Sequence, residues 1–225
     1  MPQAGIHGLI GLATRKLPIS REWLLLGLIL GNVVPDLDAV LVAVATLSGG
    51  DTHGLHRTWS HSIITILGLI GIFQVLSIIR RSPRIGNLGL GLGLGMLMHS
   101  ITDLFIWFRG VQLFWPWFPE INFWHNYSPP DWWYTRLEYS LEFGLIGLFL
   151  YVLLKLATSQ DTDTEFIPRL KKWIGLELTL FVVFTILVFT WSGYFIIFGA
   201  AYIFSLHLLV FISIRMRQTL DHPIG

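Results

Sequence analysis

IITILGLIGIFQVLSII, residues 63–79, contains no charged side chain from end to end. As a helix rising about 1.5 Å per residue it reaches roughly 25 Å, close to the hydrocarbon thickness of a bilayer. It stops at Arg80-Arg81-Ser82-Pro83-Arg84, where charge and proline arrive together. This stretch reads as a membrane span, and similar runs recur on both sides of it. Trp23 to Leu47 is one, interrupted by PDLD at residues 35–38. Leu88 to Phe108, Leu137 to Leu156, Trp173 to Phe189 and Tyr194 to Ile214 are the others, the last two turning at WSG. Ile6 to Leu17 is too short to cross and reads as a half-inserted helix. The chain is predicted to be all-α, a polytopic membrane helical bundle of five to six spans.

Composition agrees. Only 13% of the 225 residues are charged, against about 25% in soluble domains, and the mean hydropathy is +0.64. No cysteine is present, so a disulfide or thiolate site is excluded and any metal must take nitrogen and oxygen ligands. The net charge of +1 gives no sign of a nucleic-acid partner. The first apolar run is followed by Arg15 and Lys16, not preceded by basic residues, which is unlike a cleaved leader. Three segments are expected: a membrane core over 1–157, a polar connector over 158–172, and a C-terminal hairpin with its tail over 173–225.

Basic residues assign the sides. Arg15, Lys16 and Arg21 flank the first long run, Arg80, Arg81 and Arg84 follow the second, Lys155, Arg169, Lys171 and Lys172 the fourth, and Arg215 and Arg217 the last. With alternating spans all fall on one face, which the positive-inside rule makes cytoplasmic. The loop at 48–60 and the tryptophan-rich loop at 109–136 then lie opposite. Gly27 and Gly31, and Gly91 and Gly95, are pairs four apart that suit close helix approach.

Ionisable groups within spans are costly, and here they form a set. Asp36 and Asp38 interrupt the first long span, His61 opens the next, His99 and Asp103 share a face at i and i+4, and Glu138 and Glu142 open the fourth. His7 joins them if the N-terminal stretch dips into the membrane. Pro35 disfavours helix at Val34, so one aspartate can reach the site while the other caps a helix or supports a ligand. His56 and His61, five apart, are expected to converge from a loop and a helix start, with Thr58 or Ser60 as N-cap. Arg57 between them can meet an anionic substrate or snorkel to the interface. Each feature alone has a plain packing explanation. Together they place nearly all the buried charge toward the non-cytoplasmic end.

The ordered set GIHGLIG (His7), PDLD (Asp36, Asp38), HRTWSHS (His56, His61), LMHSITDLF (His99, Asp103), VQLFWPW and RLEYS (Glu138) resembles the YdjM-like family of inner-membrane, LexA-regulated proteins expected to be metal-dependent hydrolases. The likeness covers about residues 5 to 140 and leaves out the 173–214 hairpin. Thr58 and Ser60 stand where the family often has Gly and Thr, and Ala39 where some members have another His. More distantly the family resembles the zinc-dependent phospholipase C and nuclease superfamily, which implies phosphoester hydrolysis.

The expected site follows. His7, Asp36, His56, His61, His99 and Asp103 are the candidate ligands of one or more divalent ions, zinc favoured, with manganese or iron admitted by nitrogen and oxygen ligation. Asp38, Glu138 and Arg57 are the candidate catalytic groups, the carboxylates as base and the arginine facing an anionic substrate. The expected partners are membrane lipid and a lipid-linked or phosphoester substrate, and the expected location is the bacterial inner membrane. A metal-stabilised protein without activity, or an ion or proton transporter, are the alternatives. Clustering toward one side and the lack of an inverted repeat weigh against transport.

Overall fold

The structure is a computed structural model and describes residues 4–16, 21–128 and 133–221. The described residues are helical throughout, apart from loops and one isolated antiparallel bridge between Val111 and Ile121. The helices are α1 (Ala4–Ala13), α2 (Leu24–Gly31), α3 (Ala39–Ser48), α4 (Ile63–Arg80), α5 (Pro83–Ile106), α6 (Trp133–Gln160), α7 (Ile167–Thr190), α8 (Tyr194–Arg215) and the short α9 (Arg217–Asp221). Five of them are long and apolar enough to cross a membrane. A sixth span arises if α2 and α3, bent by 46° at their junction, count as one.

Local chemistry explains the boundaries. Ser62 caps α4, its side chain accepting from the Ile64 amide at 3.2 Å. Thr58 and Ser60, the expected caps, are used elsewhere, because the chain enters α4 through a 3-10 turn at Trp59–His61. Pro83 starts α5, where its missing N–H costs nothing. Pro35 breaks the first long run as expected: helix gives way to a 3-10 turn over Val34–Asp38 before α3 resumes. The expected polar connector at 158–172 is largely helix. α6 runs on to Gln160 and α7 begins at Ile167, since polar side chains can ride on helix ends beyond the apolar layer.

The closest helix pair is α2 and α5, running parallel. A Cβ on Gly27 would overlap the Leu88 carbonyl, on Gly31 the Leu92 carbonyl, on Gly91 the Leu24 carbonyl and on Gly95 the Leu28 carbonyl. The two glycine pairs noted in the sequence therefore face one another, and backbone touches backbone. α1 lies against α6, with Gly5 over Leu145 and Gly8 over Phe149. The Gly5 amide also donates to Glu142 Oε1 at 3.0 Å, which sets the height of α1 along α6.

Among the described residues one large apolar core joins α1, α2, α5, α6, α7, α8 and α9. Ile29 of α2, Phe143 and Phe149 of α6, Phe184 of α7 and Phe198, Leu206 and Leu209 of α8 belong to a single buried cluster. The C-terminal hairpin thus packs into the core, not beside it. At the basic end Arg15 donates to the carbonyls of Leu220 (3.1 Å) and Thr219 (2.8 Å), and Asp221 accepts from the Leu26 amide. Asp163 in the α6–α7 turn accepts from the Thr219 amide at 2.9 Å. At the other end the two loops interlock. The Gln112 amide donates to the Arg57 carbonyl, the Ile63 amide to the Leu113 carbonyl, and the Ser62 hydroxyl to the Trp115 carbonyl.

Replacing Gly31 or Gly95 with Leu should force α2 and α5 apart. Overpacking of a tight interface costs about 1–3 kcal/mol, and rigid backbone on both sides puts these changes at the upper end. Gly68, where an added Cβ meets nothing within 4 Å, is the control, and Gly68→Leu should leave stability within about 0.5 kcal/mol. Thermal unfolding in detergent distinguishes them; equal midpoints would contradict the close contact.

Candidate metal centre

Five of the six expected ligands meet in one place. The break after α2 brings Asp36 inward, the turn before α4 brings His61, α5 supplies His99 and Asp103 from one face, and α1 supplies His7. All five are at most 2% exposed. The N-terminal stretch does dip into the bundle, and the His7 ring stacks on His99 with centroids 3.7 Å apart.

The distances are short. His61 Nε2 and His99 Nε2 are 3.1 Å apart. Asp103 Oδ2 lies 3.5 Å from His61 Nε2 and 3.7 Å from His99 Nε2, and Asp36 Oδ1 lies 3.7 Å from His99 Nε2. His7 Nε2 is 3.0 Å from Asp103 Oδ1. Among the described residues, two groups have donor atoms mutually close enough for an ion: His7, His99 and Asp103, and Asp36, His61 and His99. His99 belongs to both.

The surrounding bonds decide which nitrogen is bare. His99 Nδ1 lies 2.8 Å from the Asn32 carbonyl, which can only accept, so Nδ1 carries the proton and Nε2 the lone pair. Ser60 donates to Asp38 Oδ2 at 2.6 Å, so its oxygen, 2.8 Å from His61 Nδ1, accepts the proton there. His61 Nε2 is then bare too. Two neutral lone pairs facing at 3.1 Å repel each other. A cation held by both relieves this, and tetrahedral zinc with bonds of about 2.0–2.1 Å sets its ligand nitrogens about 3.3 Å apart. The donor set is nitrogen and oxygen only, is buried, and includes Asp36 Oδ2 with no hydrogen-bond partner. The residues fit a divalent metal.

His56 stands one step away. Its Nδ1 is 2.6 Å from Asp38 Oδ1, and its ring meets His61 edge-on at 5.5 Å between centroids. Burial holds the His56 imidazole below its ordinary pKa, and the bond to Asp38 opposes that shift. Asp38 is the aspartate that supports a ligand. It sits at the N-cap of α3 without a side-chain capping bond, because both its oxygens are taken by His56 and Ser60.

Arg57 does not snorkel. It is buried, its Nε 3.2 Å from Asp103 Oδ2 and its guanidinium over the Trp107 ring at 5.6 Å. A left-handed backbone (φ 62°) turns it inward, held by the Gln112 amide on its carbonyl. Glu138 is half-buried on α6 in the field of Arg57 and Arg109. Glu142, one turn on, is the carboxylate that ties α1 in place.

Asn32 and Ser60 are the orienting groups that no spacing rule singled out. Asn32 acts through its backbone carbonyl, which carries no side-chain signature, and Ser60 was readable only as a possible cap. Among the remaining histidines, His207 bonds the Ile203 carbonyl one turn back, and His125 is exposed in its loop. His222 lies outside the described residues.

The family model described as YdjM inner membrane protein matches residues 3–219. The match extends through the 173–214 hairpin, which the motif likeness left out, in keeping with the hairpin's place in the common core. Neither a curated protein nor a solved structure matches the chain.

His61→Ala and His99→Ala should each remove the metal measured by mass spectrometry on purified protein. Ser60→Ala keeps every ligand but frees the His61 ring, and should weaken metal affinity about 10–100-fold. Unchanged affinity in Ser60→Ala would contradict the orienting role.

Proposed function

This chain belongs to the YdjM inner membrane protein family, and on that premise we propose that it is an integral inner-membrane hydrolase that cleaves a phosphoester with a divalent metal. The observation that carries the proposal is the facing of two bare imidazole nitrogens, from His61 and His99, 3.1 Å apart beside Asp36 and Asp103. His7, Asp36, His61, His99 and Asp103 hold the metal, zinc favoured over manganese or iron. When bound there, a divalent ion would supply Lewis-acid polarisation of a phosphoryl oxygen and lower the pKa of a water.

The chain's own groups do the rest. Asp38, with both oxygens engaged by His56 and Ser60, fixes the direction of His61 and is not free to move a proton. That leaves Glu138 as the base. Arg57 neutralises Asp103 and places a buried positive charge where an anionic substrate needs one. His56 holds Asp38. The basic residues Arg15, Arg84, Lys155 and Arg215 lie at the opposite ends of these helices, so the positive-inside rule puts the site toward the non-cytoplasmic side.

One observation favours a second reading. All five ligand candidates are almost fully buried, as in a closed structural site, where an ion stabilises the fold and no position is left for water.

Purified protein assayed against phosphomonoester and phosphodiester substrates separates the two. Under the catalytic reading, chelation abolishes turnover, added Zn²⁺ or Mn²⁺ restores it, and Glu138→Gln loses about 10²–10⁴-fold while keeping its metal. Under the structural reading, chelation lowers the unfolding temperature and no substrate turns over in the metal-loaded protein.

A further inference from the structure

We propose that the cavity between α3 and the 59–61 turn admits an acyl chain of a membrane phospholipid, so that the substrate of the metal centre is a phospholipid approached sideways from the bilayer and hydrolysed at a phosphoester P–O bond, water giving its oxygen to phosphorus and a proton to the departing alcohol. The proposal rests on the hydrolase reading for its chemistry and on separate observations for its geometry.

α3 is the least embedded of the apolar helices. None of its residues is buried, whereas α2, just before the break, is buried along its whole length. A 46° bend separates the direction of α3 from that of α2. A cavity of about 330 Å³ opens beside it, within the range of small-molecule sites. Its mouth is apolar: Leu41 is 44% exposed and Trp59 41%, with Val34 and Leu37 between them. Its buried lining is Met96, Pro35, Asp38 and Ser60.

Two things point to hydrocarbon as the occupant. The mouth is continuous with the lipid-facing surface of α3, where Leu41, Val44 and Leu47 stand exposed. An apolar cavity in a bilayer fills with lipid chains, because an empty one forfeits dispersion contacts on every wall. At the same end of the bundle the two loops interlock through bonds at Arg57, Ile63 and Ser62.

The buried lining leads to the chemistry. Ser60 touches both Asp38 and His61 Nδ1, so the cavity ends one side chain from the facing imidazoles. Arg57, three residues before Ser60 and paired with Asp103, is the buried cation at that end. An acyl chain lying past Leu41 and Leu37 would carry its ester linkages toward that end.

The test uses phosphatidylglycerol bearing a diazirine on one acyl chain, incorporated into nanodiscs with the full-length protein, followed by irradiation and peptide mapping. Labels should concentrate on Leu37, Leu41, Trp59 and Met96 over lipid-facing positions elsewhere, such as Ile72 and Val182. Leu41→Trp, which fills the mouth, should reduce labelling of Met96 and Leu37 by about tenfold with metal content unchanged. Leu41→Ala, which widens it, should not reduce labelling. Even labelling around the apolar belt, or labelling of Met96 that survives in Leu41→Trp, overturns the entry route whatever the metal result. Cavity labelling in a protein that binds no metal overturns the substrate assignment and the hydrolase reading together, and thereby separates their failure from that of the groove.

Discussion

Backbone contact between α2 and α5 holds the centre of the protein. Gly27 and Gly31 on one helix and Gly91 and Gly95 on the other lack the side chains that would keep the axes apart, and each faces a carbonyl of its neighbour. In a membrane no hydrophobic gain separates a helix pair from two helices in lipid, so association depends on packing at close range. The site begins where this seam ends. Asn32 follows Gly31 directly, and its carbonyl meets the His99 ring, one turn beyond Gly95. The same seam that brings the helices together therefore aligns a broken helix end with the histidine it must orient.

The cost of the site is set by burial. His7, Asp36, His61, His99 and Asp103 are removed from water and from lipid alike, and unpaired charge in that setting is expensive. The structure limits the cost by crossing its partners. Asp103 faces His7, Arg57, His61 and His99 from four different segments, and Asp38 serves His56 and, through Ser60, His61. One mismatch persists by pairwise bonding alone: the two bare Nε2 atoms face each other. A divalent ion held by both would remove it, and would then be part of the fold's own electrostatic balance as well as of the proposed reaction. The two ends of the bundle divide the labour. At the basic end Arg15, Asp163 and Asp221 clasp the last residues to α1, α2 and the α6–α7 turn. At the other end the two loops interlock beside the site's Arg57 and His61.

Much of this was legible in the sequence, for a stated reason. A helix that spans a bilayer must satisfy its backbone internally and present apolar side chains over its length, so the runs at 63–79, 88–108, 137–156, 173–189 and 194–214 declared their identity directly. Pro35 marked the break, the i, i+4 spacing of His99 and Asp103 marked a shared face, and the rarity of charge in spans picked out Asp36, His61 and Glu138. The helix limits were less readable. Residues 158–172 looked like a connector because they are polar, but polarity at a span's end does not stop a helix, and α6 and α7 take up most of them.

By itself, then, the sequence determined the membrane class, a bundle of five to six spans, the place of the break and a set of candidate ligands, because these depend on local hydropathy, local backbone preference and side-chain chemistry. Only the tertiary structure decided how the residues divide their roles. That His56 bonds Asp38 while His61 faces His99, that Arg57 turns inward on Asp103, that Asn32 and Ser60 set the two imidazoles, and that α3 leaves an apolar cavity beside them all depend on distances between segments far apart in the chain. Such distances follow from how closely α2 approaches α5 and how α1 seats on α6, and no spacing along a single helix contains them.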